Sequence, residues 1–196
     1  SIYADNVSLN HSSSGGTITL DSDGSSDGAI TIVTDTANSG TLSSATAWDD
    51  GITINSGTAV SDLSGASFAN LNALSVNAAS VTLGATATGD GGLSLTSTNG
   101  NVTLNGDLAT TGETNAGSVT ISATSGTIAL GGNISVSTDS VSGTDQTISL
   151  GSITDGATDP TLTLDAGSQN VTLADVGTSA NAIGASELAT DAIGAD

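Results

Sequence analysis

The chain has 196 residues, with no lysine, arginine, cysteine or methionine, and 20 aspartates and glutamates beside a single histidine, for a formal net charge of -20. Without cationic side chains it cannot bind nucleic acid by neutralising phosphates, and it lacks the lysine of a P-loop or a Schiff base and the arginine of an anion clamp. It can form neither a disulfide nor a thiolate metal site, and no apolar run approaches the roughly 20 residues that span a bilayer.

Leu, Ile, Val and Phe make up roughly a fifth of the residues, which with this charge borders on the composition of disordered chains. Order is expected nevertheless, because the apolar residues are not scattered. They fall in short alternating triplets: Ile18-Thr19-Leu20, Ile30-Thr31-Ile32, Ile52-Thr53-Ile54, Leu74-Ser75-Val76, Val81-Thr82-Leu83, Leu93-Ser94-Leu95 and Val102-Thr103-Leu104. Val119-Thr120-Ile121, Ile128-Ala129-Leu130, Ile148-Ser149-Leu150, Leu162-Thr163-Leu164 and Val171-Thr172-Leu173 continue the series. Each reads as a strand with one aliphatic face and one hydroxylated or small face, bounded by Gly, Asn, Asp or Ser. Such short strands need many neighbours.

The spacings supply them. Ile30, Ile52 and Leu74 are 22 residues apart, and Val102, Ile128, Ile148 and Val171 recur at 26, 20 and 23. A second triplet follows nine residues after the first at Leu93 to Val102, Val119 to Ile128 and Leu162 to Val171. The blocks 92–104 and 118–130 align in pattern. A repeat of about 20–26 residues made of strands and tight turns predicts a parallel β-solenoid; a β-sandwich with a donated terminal strand is the alternative. A narrow solenoid interior explains the 2% aromatic content, and its corners explain the Gly and Asn. Asn101, Asn133 and Asn170 each precede a triplet, where stacked amides form ladders. Pro160 precedes a strand, where its missing N–H is harmless.

Two stretches depart from the pattern. Residues 58–72 are rich in Ala and Ser and suggest a pentapeptide-like coil or a short helix on the flank. The tail from Val176 is rich in Ala, and 186–192 suggests a helical turn or a spacer. The predicted organisation is an edge strand, cap or donor strand over 1–15, solenoid repeats over 16–176, and an Ala-rich tail or inter-subunit spacer over 177–196.

Runs such as Gly117-Ser118-Val119-Thr120-Ile121-Ser122-Ala123, Ser125-Gly126-Thr127-Ile128-Ala129-Leu130 and Asn99-Gly100-Asn101-Val102-Thr103-Leu104-Asn105-Gly106 resemble the filamentous-haemagglutinin-type and other giant repetitive bacterial surface adhesins. The resemblance covers about 92–176 well and 16–83 loosely. It implies a right-handed parallel β-helix, export, and a role in adhesion, fibres or biofilm. The secretion domain of that family is not recognisable here.

Candidate chemistry is sparse. Elimination on acidic polysaccharides needs a cationic base or clamp, which this chain lacks. Hydrolysis by paired carboxylates needs only acids, and Asp49-Asp50 and Asp21-Asp23 are the candidate pairs, but Trp48, Tyr3 and Phe68 are the only aromatics for a sugar to stack on. His11 beside Ser12, Ser13 and Ser14 has no third, orienting group. Asp21, Asp23 and Asp27 place oxygens at positions 1, 3 and 7 of a calcium-like loop around Gly24, with Ile32 where the bidentate Glu belongs; they are the candidate Ca²⁺ ligands. Thr17/Thr19 and Thr161/Thr163 fit an outward array of the kind that binds ice. The expectation is therefore a non-enzymatic, extracellular structural protein that self-associates head to tail into a filament, or a segment of a surface adhesin meeting a cell surface or polysaccharide. Neither nucleic-acid binding nor membrane insertion is expected.

Overall fold

A computed structural model describes residues 2–3, 6–9, 15–33, 40–44, 46–155, 160–177 and 188–191. Among these there is no helix, and every strand pairing is parallel, in one sheet of seven strands and one of 13. An antiparallel sandwich is thereby excluded for the described residues, and the arrangement is solenoid-like.

The strands form three stacks, visited in a fixed order. The first holds Ile2–Tyr3, Ile30–Val33, Val60–Leu63, Ser80–Leu83, Val102–Leu104, Ile128–Leu130 and Ile153–Asp155, and continues through a bridge from Ile153 to Val176. The second holds Thr17–Asp21, Gly51–Asn55, residues 73–78, residues 92–97, Val119–Ala123, Ile148–Leu150 and Val171–Leu173. The third holds Asn6–Leu9, Gly40–Ser44, residues 66–69, residues 86–87, Leu108–Ala109, Ile134–Ser137, Leu162–Asp165 and Leu188–Asp191. The second and third stacks share the 13-stranded sheet because two long strands, Ala66–Ala78 and Thr86–Ser97, each run from one stack into the other. They bend where the register slips, beside Asn70 and Gly92, whose φ angles are 57° and 77°.

The period-2 alternation of each triplet aims its two aliphatics inward. In the second stack Ile18, Ile52, Leu74, Leu93, Val119, Ile148 and Val171 stand in one row, and Leu20, Ile54, Val76, Leu95, Ile121, Leu150 and Leu173 in the next. Inward residues of all three stacks, among them Phe68, Leu83, Leu95, Val102 and Val136, form one core. Away from the ends these rows are at most 3% exposed, whereas Ile18 on the outermost rung is 40% exposed.

The rungs of the second stack advance by between 19 residues (Leu74 to Leu93) and 34 (Ile18 to Ile52), a wider range than the predicted repeat. The blocks 92–104 and 118–130 do stack as aligned, Leu93 on Val119 and Val102 on Ile128. The series Val102, Ile128, Ile148, Val171 does not hold: Ile128 is followed by Ile153 in the first stack, while Ile148 lies on Val119 in the second. The reason is the long excursion between residues 137 and 148, which the chain absorbs at a corner without losing a rung. The stretch 58–72 forms strands Val60–Leu63 and Ala66–Ala78 rather than a flanking helix, and Leu188–Asp191 is a strand on Leu162–Asp165 rather than a helical turn. In the first of these, alternating inward burial outweighs the helical preference of Ala.

Candidate functional site

The outward side of the second stack carries a row that no local stretch of sequence displays. Thr19, Thr53, Ser75, Ser94, Thr120, Ser149 and Thr172 are register partners on successive rungs, each half-buried or exposed. Strand stacking sets these hydroxyls about 4.8 Å apart. The neighbouring row reads Asp21, Asn55, Asn77, Thr96 and Ser122, so of the registered positions in the two rows only Asp21 is charged. Of the predicted pairs, Thr17 and Thr19 belong to this stack, but Thr163 lies in the third, paired with Ser135.

Amides tie the rungs together in two ways. Asn77 donates to Asn55 Oδ1 at 3.2 Å, and Asn55 donates to Asp21 Oδ1 and Asp23 Oδ2, each at 3.3 Å. Asn101 and Asn133 act differently from the expected ladder. Their Oδ1 atoms accept the backbone N–H of Thr127 (3.0 Å) and Thr161 (2.9 Å), the residues at the same place on the next rung. Each side chain thus satisfies a corner donor that the parallel ladder leaves over.

The acidic loop at 21–27 is fastened to the turn of the following circuit. Asp21 Oδ1 accepts Asp23 N–H at 2.9 Å, and Asp27 Oδ1 accepts Gly24 N–H at 3.1 Å. Asp27 Oδ2 takes the N–H and hydroxyl of Thr58 at 2.6 and 2.5 Å. These donors, Thr58 above all, hold the Asp27 carboxyl below the usual aspartate range. Gly57, at φ 54°, lies under Asp23 and Asp27 so closely that any side chain there would overlap both carboxylates. The three predicted calcium ligands are therefore gathered around one turn, where peptide, hydroxyl and side-chain amide donors engage them. Among the described residues no three carboxylate or imidazole groups form a metal-holding set.

The same device recurs where the sequence reading did not look for it. Asp145 Oδ2 accepts the N–H and hydroxyl of Ser168 at 2.8 and 2.7 Å, and its Oδ1 accepts Ser140 N–H at 2.8 Å. Gly167, at φ 53°, lies under Asp139 and Asp145. These donors, Ser168 above all and then Ser140, hold the Asp145 carboxyl below the usual aspartate range, at about 2. The shared signal was Gly57-Thr58 and Gly167-Ser168, each opposite an Asp-rich loop one circuit earlier.

A depressed carboxyl stabilises the fold fully above its unfolded pKa, and that contribution disappears as pH falls through the folded value. Asp145→Asn is therefore expected to lower the stability at pH 7 and to flatten its fall between about pH 4 and pH 2. Urea unfolding of the two proteins across this range checks it; parallel curves would exclude the fastening role.

The other predicted pair, Asp49-Asp50, lies in the corner between Gly40–Ser44 of the third stack and Gly51–Asn55 of the second. Asp50 is 3% exposed, and its carboxylate accepts Gly16 N–H at 3.2 Å and the Ser44 hydroxyl at 3.1 Å. Glu113 is pushed above the usual range by burial and then by the neighbouring charges of Asp90 and Asp49, although it accepts Asp90 N–H at 3.3 Å. Asn72 donates to Asp90 at 2.9 Å. Trp48, at φ 65°, lies over Gly112, which has no room for a side chain beneath the indole. His11 and Ser12 to Ser14 lie outside the described residues.

No family model, no curated protein and no solved structure matches this chain. Its functional reading rests on its own geometry.

Proposed function

We propose that the chain is a structural segment of an extracellular filament or of a repetitive surface adhesin, wound as a right-handed β-helix and joined end to end through its outermost rungs. The carrying observation is the contrast between buried interior rungs and open end rungs. Ile52 and Ile54 are 2% and 0% exposed, but Ile18 at one end is 40% and Val176 at the other 37%. An open parallel edge presents unpaired N–H and C=O groups beside an apolar row, and contacts between unlike ends propagate instead of closing. The adhesins whose repeats it resembles give the same reading, as does a chain without lysine or arginine, which offers trypsin-like proteases no cleavage site.

Electron microscopy of the purified protein tests this reading. Filaments are expected, with a diffraction spacing of about 4.8 Å along the axis; monodisperse monomers at every concentration would overturn it. With a net charge of -20 the copies repel. Assembly should therefore quicken as the screening length falls from about 30 Å at 0.01 M to about 8 Å at 0.15 M salt. Light scattering follows this directly.

The uninterrupted hydroxyl row favours a second reading, an ice-binding face. Thr120 stands mid-row and exposed. Thermal hysteresis that is present in the parent and abolished by Thr120→Glu would support it; a parent without hysteresis or recrystallisation inhibition sinks it.

A further inference from the structure

The two ends of the stack are not flush. Among the described residues the first and third stacks run one rung past the second, through Val176 and Leu188–Asp191, and the edge of Val171–Leu173 is bare. Val171 and Leu173 are only partly buried, although Ile148 and Leu150 directly beneath are 0% and 3% exposed. At the opposite end Thr17–Asp21 pairs, among the described residues, on one side only, with Gly51–Asn55, and Ile18 and Leu20 are incompletely covered.

Two features indicate what fits the bare edge. Ile18-Thr19-Leu20 and Val171-Thr172-Leu173 are the same kind of rung, β-branched, threonine, leucine, so each can serve as the next rung of the other. Asn170 also occupies the place held by Asn101 and Asn133 on their rungs, and those two accept the N–H that precedes the following triplet. Among the described residues Asn170 has no following rung to accept from.

We infer that the Thr17–Asp21 edge of a second copy seats on Val171–Leu173, in parallel, with Ile18 over Val171, Leu20 over Leu173, and the Thr17 N–H donating to Asn170 Oδ1. This rests on the end-to-end reading above and gives it a register. It also has a topological cost. Ile2–Tyr3 and Asn6–Leu9 belong to the same circuit as Thr17–Asp21, so they arrive at the level held by Val176 and Leu188–Asp191. The junction is therefore a strand exchange, in which the incoming Ile2–Tyr3 displaces the Val176 bridge from Ile153 and the incoming Asn6–Leu9 replaces Leu188–Asp191 on Leu162–Asp165. Register favours the exchange. The resident strand sets Thr190 opposite Leu164, whereas the incoming strand sets Val7 there, the residue that stands opposite Leu42 in its own chain.

The absence of cysteine makes a clean test possible. Register partners in adjacent strands lie about 4.8 Å apart, within the Cα separation a disulfide tolerates. Thr19 and Thr172 of one chain are separated by the whole stack, so only a link between copies can form. In the full chain, oxidised Thr19→Cys/Thr172→Cys is expected to shift from monomer to a ladder of multimers on a non-reducing gel, reversed by reductant. Ser8→Cys/Asp165→Cys should do the same through the exchanged strand. Thr53→Cys/Thr172→Cys, with Thr53 covered between Thr19 and Ser75, should stay monomeric. Filaments without the 19–172 link would overturn this register and leave the end-to-end reading standing. A 19–172 link without the 8–165 link would overturn the exchange. Absence of any assembly by scattering or microscopy would overturn both readings.

Discussion

Leu95→Ala is expected to destabilise the chain by about 2–5 kcal/mol, as for other large-to-small changes in a packed interior. Leu95 is 0% exposed and sits on the central rungs, with Val76 on one side and Ile121 on the other. The partners above and below are held in register by the strand ladder, which keeps them from moving in to fill the gap. Stability in a stacked architecture is nearly a sum of rungs and their interfaces. Leu173→Ala, on a partly buried terminal rung, should therefore cost distinctly less. Denaturant midpoints at unchanged slope measure both. Equal losses at the two sites, or a loss at Leu95 within about 0.5 kcal/mol of zero, the range of an ordinary surface change, would contradict the shared-core architecture.

Gly92→Ala should have the second-largest effect, about 3 kcal/mol. Two separate demands meet at this residue. Its φ of 77° lies in the left-handed region, where a Cβ is strained. A Cβ there would also overlap the backbone of Ser118, whose carbonyl accepts Leu93 N–H at 2.9 Å. Gly117 on the next rung is pressed against Gly92 in return, so neither side can give. Gly132→Ala is the control. Nothing lies within 4 Å of a Cβ at that position and its φ is not positive, so it should be neutral or stabilising by about 0.4–1 kcal/mol through the unfolded chain. Thermal or urea unfolding of the pair decides the matter; similar midpoints would mean that the Gly92 bend is not fixed by sterics.

The candidate site was less legible than the strands. Asp21, Asp23 and Asp27 were visible as a cluster, but their partner Thr58 lies 31 residues from Asp27, so the donors that hold the loop could not be read locally. Asp145 escaped notice because its own loop has no repeated Asp-x-Asp, and only its meeting with Ser168 makes it a second copy of the device. The hydroxylated faces are legible in the triplets, but their alignment into one row is not, for a similar reason. Thr19, Thr53 and Ser75 are separated by unequal intervals, and a fixed-period search skips them.

What the sequence by itself determined is local or additive. Period-2 alternation chose strands and their inward faces, the turn residues between them marked the corners, and a chain with acids and no lysine or arginine excluded whole classes of partner. What only the tertiary structure decided is which strand lies on which. Val81-Thr82-Leu83, Val102-Thr103-Leu104 and Val171-Thr172-Leu173 are one and the same tripeptide, yet the first two share the first stack and the third stands in the second. Identical tripeptides have identical local preferences. Their places are set by the lengths of the connecting loops, by the backbone register with the rung beneath, and by the requirement that each aliphatic row face the common core.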